Sequence, residues 1–281
     1  MSKFIKYENL DFRIDNNIFY SNSVTISLQS NISPVLLSDG SLLRYAPENT
    51  VIGSLNTEFY LTTSFPSFLN LMSTNETSVS CVFAGVQIDQ CYLKSLSFNV
   101  KNFEPVLISA EFDWYGKINS ANSTNSLKPF YAGRNNQLTD ISHSHHTFLM
   151  DVDKVFGFDE IFSFNYSEKV DLLPFFANGE IVPFRVAKTN KIKSMSVDGN
   201  YFKRNNIAQI EGQSVNCDLN LKNYNNTLLK TFNIFGKIES RSLNISSEGI
   251  LQSTLSMMQR VEVLRNNIWV NLSKVNFQYL V

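Results

Sequence analysis

Three histidines, His143, His145 and His146, sit together and are the only ones in the chain. On a strand, His143 and His145 would share a face. If chains met around a rotation axis, such imidazoles could converge on a zinc, iron or nickel ion. No cysteine lies nearby, and Asp140 is the only close carboxylate, so the ligand count of a closed metal site is missing. The histidines therefore read as part of a polar connector. Nucleophilic catalysis needs a serine or cysteine beside a histidine, and no Gly-x-Ser-x-Gly turn occurs. The carboxylate pairs Asp151/Asp153 and Asp159/Glu160 read as solvated loop residues, not as a glycosidase pair. Phosphate-binding Gly-x-x-x-x-Gly-Lys and dinucleotide-binding Gly-x-Gly-x-x-Gly patterns are absent. Cys81, Cys91 and Cys217 form an odd set without metal-type spacing and read as small apolar residues in a reducing compartment. The expectation is no catalytic, cofactor-binding or metal-binding residue, no cofactor, and no enzymatic activity.

The elements that must carry such a chain are strands. Only 17% of the 281 residues are charged, 43% are hydrophobic and 13% aromatic, with a formal net charge of −1. Phe, Tyr, Ile, Val, Ser, Thr and Asn are prominent, the composition of strands joined by polar turns. The hydrophobic fraction suffices for packed cores. A near-zero charge argues against a dedicated nucleic-acid binder, which would show a basic face. The first residues lack the apolar run of a secretion signal. No stretch reaches the ~18 apolar residues of a membrane helix, so no membrane partner is expected.

Segments recur in the same order in both halves of the chain, which points to a tandem duplication. Ser54-Leu-Asn-Thr-Glu-Phe-Tyr-Leu61 matches Ser214-Val-Asn-Cys-Asp-Leu-Asn-Leu221. Ser67–Met72 faces Thr227–Phe232. Val82-Phe-Ala-Gly85 faces Asn233-Ile-Phe-Gly236, with a longer first-copy loop around Ser73–Ser80. Lys94–Asn99 faces Arg241–Ser246, and Glu104–Ser109 faces Glu248–Ser253. Upstream, Pro34–Gly40 resembles Pro174–Gly179, and Ser23–Leu28 resembles Ile161–Tyr166. On this alignment the second copy carries an insertion at Lys188–Ile207, read as a hairpin turning at Asp198-Gly199.

Alternation of apolar and polar residues marks half-buried strands. Leu96, Phe98 and Val100 should point one way, and Ser95, Ser97 and Asn99 the other. Pro66–Met72 has helical spacing, and Asn226–Phe232 reads as its counterpart, capped by Asn225 or Asn226. Val261–Leu272 reads as a closing hairpin with an Asn-Asn turn. The expected fold is all-β with one short helix per repeat: two tandem β-sandwich or barrel domains, 1–140 and 141–281. The Ser- and Asn-rich stretch from Lys117 to Asp159 joins them.

Sheet edges must be paired or protected, and a long polar hairpin is costly to order unless it packs on a neighbour. Both features suit self-assembly, and cyclic assembly needs one surface that fits a different surface of the next copy. The repeated unit resembles the tail-tube family of tailed bacteriophages. The residues that carry the resemblance are Ser54–Leu61, Ser67–Met72, Val82–Gly85 and Ser95–Phe112, with their counterparts in Ser214–Leu221, Thr227–Phe232, Asn233–Gly236 and Ser242–Met257. The resemblance is one of architecture over most of the chain. It implies a structural virion protein, assembled in the host cytoplasm, whose sheets join into rings around a lumen through which DNA passes without specific binding. Two units per chain imply a trimeric ring with pseudo-sixfold symmetry, or a hexamer, in contact with other tail or baseplate proteins. The unequal loops fit a baseplate or terminator position as well as the repeating tube. The rival reading is a receptor- or carbohydrate-binding tail module, suggested by aromatic, Asn/Ser-rich loops and the histidine cluster.

Overall fold

The computed structural model describes residues 12–15, 17–19, 21–29, 32–47, 52–61, 71–72, 77–83, 86–101, 104–116, 118–120, 158–178, 180, 182–201, 214–222, 228–245, 251–265 and 268–271. In the first half of the chain the strands are β1 (Phe12–Ile14), β2 (Asn17–Phe19), β3 (Ser21–Gln29), β4 (Ile32–Leu36), β5 (Leu42–Pro47), β6 (Ile52–Tyr60), β7 (Val79–Phe83), β8 (Val86–Lys101), β9 (Leu107–Trp114) and β10 (Ile118–Ser120). The second half supplies β11 (Phe158–Phe175), β12 (Arg185–Tyr201), β13 (Ser214–Lys222), β14 (Leu228–Ile245), β15 (Leu251–Arg265) and β16 (Ile268–Asn271). The all-β expectation holds.

Period-two patterning makes the strands. On β8, Leu96, Phe98 and Val100 are buried, while Ser95, Ser97 and Asn99 face the other way. On β9, Ile108, Ala110, Phe112 and Trp114 are buried in alternation with Leu107, Ser109, Glu111 and Asp113. Each such strand has one face to bury, and sheet pairing lines those faces up.

Eight strands form a continuous antiparallel sheet in the order β3-β6-β9-β8-β11-β12-β15-β14. This sheet is two quartets. In each, the first strand pairs with the second, the second with the fourth and the fourth with the third: β3-β6-β9-β8, then β11-β12-β15-β14. The quartets join where β8 pairs with β11, from Ser163↔Lys101 to Lys169↔Ser95. A shift of register interrupts β8–β9 between Leu93 and Ser95, and an equivalent one interrupts β14–β15 between Ile238 and Ser240.

Both third strands are long and serve two layers. The first part of β8 pairs with β7, and the first part of β14 pairs with β13. In the second case this returns Phe232 across the apolar side of the eight-stranded sheet. Its ring lies 4.8 Å from those of Phe98 and Tyr166 and 5.5 Å from that of Phe164. On the β3 side, Phe19 from the β1–β2 hairpin packs 5.0 Å from Phe59. One hydrophobic cluster results, running from Phe12 to Ile238. At β6, Gly53 leaves room for the indole of Trp114, since a Cβ there would fall 1.8 Å from the ring.

Three expectations are corrected. The segment read as a helix at Asn226–Phe232 is strand from Leu228 onward, because Phe232 and Ile234 alternate into the core opposite Leu219 and Cys217. Of its first-copy counterpart, only Leu71 and Met72 are described, and they make a short helical turn. Lys188–Tyr201 is not an inserted hairpin. It belongs to the uninterrupted β12, where Asp198 and Gly199 pair with Ser163 and Ile161, and the cross-strand bonds of Asp198 override the turn tendency of Asp-Gly.

The third correction concerns the alignment. The second strand of the second quartet is β12, so Ser54–Tyr60 corresponds to Ser194–Asn200, not to Ser214–Leu221. Pairing position matches Ile52-Gly-Ser-Leu55 with Ile192-Lys-Ser-Met195 and Glu58 with Asp198. Likewise β13 corresponds to β7, which aligns Ser78-Val-Ser-Cys81 with Ser214-Val-Asn-Cys217. On the third strands, Ser95-Leu-Ser-Phe-Asn-Val100 aligns with Ser240-Arg-Ser-Leu-Asn-Ile245. The expected closing hairpin is present, with Arg265 paired to Ile268. The boundary expected at 140/141 lies outside the described residues.

Candidate functional site

Opposite its core, the eight-stranded sheet presents a polar face. Serines dominate it: Ser23 and Ser27 on β3, Ser54 on β6, Ser109 on β9, Ser95 and Ser97 on β8, Ser163 and Ser167 on β11, Ser194 and Ser196 on β12, Ser256 on β15, Ser240 and Ser242 on β14. Short hydroxyls bond to one another across strands and leave the surface smooth. They line a trough of about 610 Å³ centred on Ser97, Asn165, Ser196 and Asp198, and another of about 240 Å³ beside Asn56 and Ser109.

The two quartets repeat their polar contacts. Ser27 Oγ lies 2.6 Å from Ser54 Oγ, and Ser167 Oγ lies 2.6 Å from Ser194 Oγ. Each second strand then carries a carboxylate between two hydroxyl-bearing strands. Asp198 accepts from Ser163 and from Thr254, each at 2.6 Å. Glu58 accepts from Ser109 at 3.4 Å and is paired opposite Ser23. Among the described residues these carboxylates are held by hydroxyl donors, with no histidine beside them.

Charge on this face leans acidic. Glu58, Glu111, Asp113, Asp198 and Glu239 stand against Lys94, Lys101, Lys169 and Lys237. Lys94 Nζ sits 3.1 Å from Glu111 and 3.2 Å from Asp113. Burial works against the Lys94 charge, but the two carboxylates outweigh it and hold the ammonium above its usual range. Burial pushes Asp113 up, and Lys94 offsets only part of that.

A second polar group lies on the core side. Glu168 receives Tyr166 Oη at 2.5 Å and Lys191 Nζ at 3.3 Å. Burial opposes its charge, yet the Lys191 ammonium and the Tyr166 hydroxyl hold the carboxyl below its usual range. Lys188 is buried close by and donates to the Leu71 carbonyl. Its burial, reinforced by the Lys191 charge, lowers it to about 8.

Of the residues singled out from sequence, Cys81 and Cys91 are buried beside each other on β7 and β8, as expected for small apolar side chains. The neighbouring Cys91 thiol, and then burial, push Cys81 far up, so it stays protonated. His143, His145, His146, Asp140, Asp151 and Asp153 lie outside the described residues, as do the side chains of Asp159, Glu160 and Cys217. Among the described residues no three His, Cys, Asp or Glu side chains gather as for a metal ion. No helix among them is long and apolar enough to cross a membrane. The polar face itself was not foreseen as a site. Its signal in the sequence was the Ser-x-Ser pattern at 95–97, 194–196 and 240–242.

No known protein family matches the chain, and neither does any curated protein sequence.

Proposed function

We propose that this chain is a structural, ring-forming protein of the tail-tube type, built by tandem duplication, whose polar sheet face lines a conduit for DNA. One observation carries the reading: an eight-stranded antiparallel sheet, serine-covered on one face and packed on the other, with the outer edge of β3 and the Ser240–Ile245 part of the β14 edge unpaired among the described residues. The outer edge of β3 carries no charge and no proline along Ser21–Gln29, the devices that normally keep edges from pairing.

An even number of alternating strands matters. The first strand, β3, and the last, β14, run in opposite directions, so β14 of one chain can continue antiparallel into β3 of the next. Such head-to-tail contacts close into rings. Three chains supply six quartets and 24 strands. At ~4.8 Å between strands, tilted as in barrels, that closes at a diameter on the order of 45 Å between backbones, wide enough for a DNA duplex inside. Short hydroxyls and surplus carboxylates give DNA phosphates little to hold, since tight non-specific binding depends on lysine and arginine.

On this reading the protein works in a virion tail or baseplate, is assembled in the host cytoplasm, and contacts other tail proteins above and below its ring. The test is native mass and electron microscopy of the purified protein. Particles of three times the 32.0 kDa chain, appearing as open rings or stacked tubes, are expected. A stable monomer at micromolar concentration that binds cells or glycans would favour a receptor-binding module instead.

A further inference from the structure

Building on that ring reading, we infer the residue register of the contact between copies: the exposed edge of β3 pairs with the Ser240–Ile245 edge of β14 in the next chain, Thr25 opposite Asn244 and Ile26 opposite Leu243. The chain contains its own template for this contact. Where the quartets meet, the third strand of one, β8, pairs with the first strand of the other, β11. The open edges are again a third strand, β14, and a first strand, β3.

Position within each quartet converts one junction into the other. On the first strands, Ser23 and Ser27 stand where Ser163 and Ser167 stand. On the third strands, Ser95, Ser97 and Asn99 stand where Ser240, Ser242 and Asn244 stand, fixed by the shared register shift just before Ser95 and Ser240. Internally, Asn165 pairs with Asn99, Tyr166 with Phe98 and Ser167 with Ser97. Between chains these become Thr25 with Asn244, Ile26 with Leu243, and Ser27 with Ser242.

The side chains agree with that register. Every polar residue meets a polar one on the trough face, and Val24 and Ile26 meet Ile245 and Leu243 on the core face. In the single chain Leu243 is 40% exposed and Ile245 69%, whereas Phe98, at the internal junction, is 1% exposed. Leu243 and Ile245 are apolar side chains that the neighbouring chain would cover, while Leu28 falls opposite Arg241 in this register. A slip of one residue would put serines against the core and leucines in the trough.

Cysteine pairs test the register. Opposed residues of an antiparallel pair have Cα atoms within disulfide reach, and a slip of two residues takes them beyond it. Thr25 and Asn244 are both exposed, so T25C/N244C should fold as the parent does. Mild oxidation of its assembled rings should give covalent species up to three chains, while T25C alone, N244C alone and the out-of-register T25C/S242C should stay single. Rings that cross-link through T25C/S242C, or through neither pair, overturn the register and leave the ring reading standing. Monomers of wild-type protein overturn both. The pair S27C/S242C, expected to link like T25C/N244C, guards against a folding defect peculiar to one variant.

Discussion

The hydroxyl of Ser167 on β11 lies 2.6 Å from that of Ser194 on β12, and Ser27 and Ser54 repeat the contact at 2.6 Å on β3 and β6. The first pair is half-buried and the second exposed. Removing one hydroxyl of the half-buried pair leaves its partner poorly satisfied, whereas removing both does not. S167A and S194A should each lower stability by about 1 kcal/mol, with the double variant losing less than their sum. S27A and S54A should change stability by under about 0.5 kcal/mol. Urea midpoints at constant slope measure all of them. Additive losses at Ser167 and Ser194 would show that the hydroxyls do not act as a pair.

Phe232 joins the two layers. It is 1% exposed and touches Phe98, Phe164 and Tyr166, drawn from strands on both sides of the quartet junction. F232A removes a ring from a close-packed aromatic cluster and should cost about 3–5 kcal/mol. F232L, which keeps most of the volume, should cost clearly less. The measurement is chemical unfolding followed by the fluorescence of Trp114, itself buried in the same core. A loss below about 1 kcal/mol for F232A would mean that β13 and the first part of β14 do not cover this sheet.

The strand faces were legible because alternation is local: Ser95-Leu-Ser-Phe-Asn-Val states both faces of β8. Recurring segments were visible too, but the alignment read from them is not the one that strand pairing gives. Ser54–Leu61 matched Ser214–Leu221 well enough to hide the truer partner in β12, and this forced β12 to be treated as an insertion. Asp198-Gly199 strengthened that error, because the dipeptide is a good turn former wherever long-range pairing does not compete. The bonds that decide against a turn come from Ser163 and Thr254, distant in sequence. Phe232 misled in the same manner: Leu228, Leu229 and Phe232 fit a helix, and only the partnership with β13 makes them a strand. Spacing within one segment cannot reveal which distant strand it will pair with.

The smooth polar face invites a gain-of-function test. Ser196 and Ser256 are paired neighbours near the middle of the trough. On the proposed reading, lysines there would place two cations per chain where DNA phosphates would pass. Assembled wild-type protein should not retain duplex DNA near physiological salt, whereas S196K/S256K should, with affinity falling steeply as salt rises. Filter binding over a salt series reads this directly. Equal binding by both proteins, or a change that salt does not affect, would mean that DNA never meets this face.

Lys188 sets a pH dependence of stability. Burial disfavours its charge, and the neighbouring Lys191 adds to the effect, lowering its pKa from 10.5 to about 8. Below that value the folded chain carries a penalised ammonium, while the unfolded chain keeps its proton up to about 10.5. The unfolded state therefore binds more protons between these limits, and stability rises with pH across them. The full span corresponds to about 3 kcal/mol, of which roughly half should accrue between pH 8 and 9.5. Lys230, also lowered by burial, contributes with the same sign. Urea midpoints at pH 7.5, 8.5 and 9.5 should therefore climb for the wild-type protein and climb less steeply for K188M. The readout is the slope with pH, since K188M also removes the donor to the Leu71 carbonyl and so shifts stability at every pH. A wild-type midpoint that is flat or falling from pH 7.5 to 9.5 would show that Lys188 is not held in a dry site.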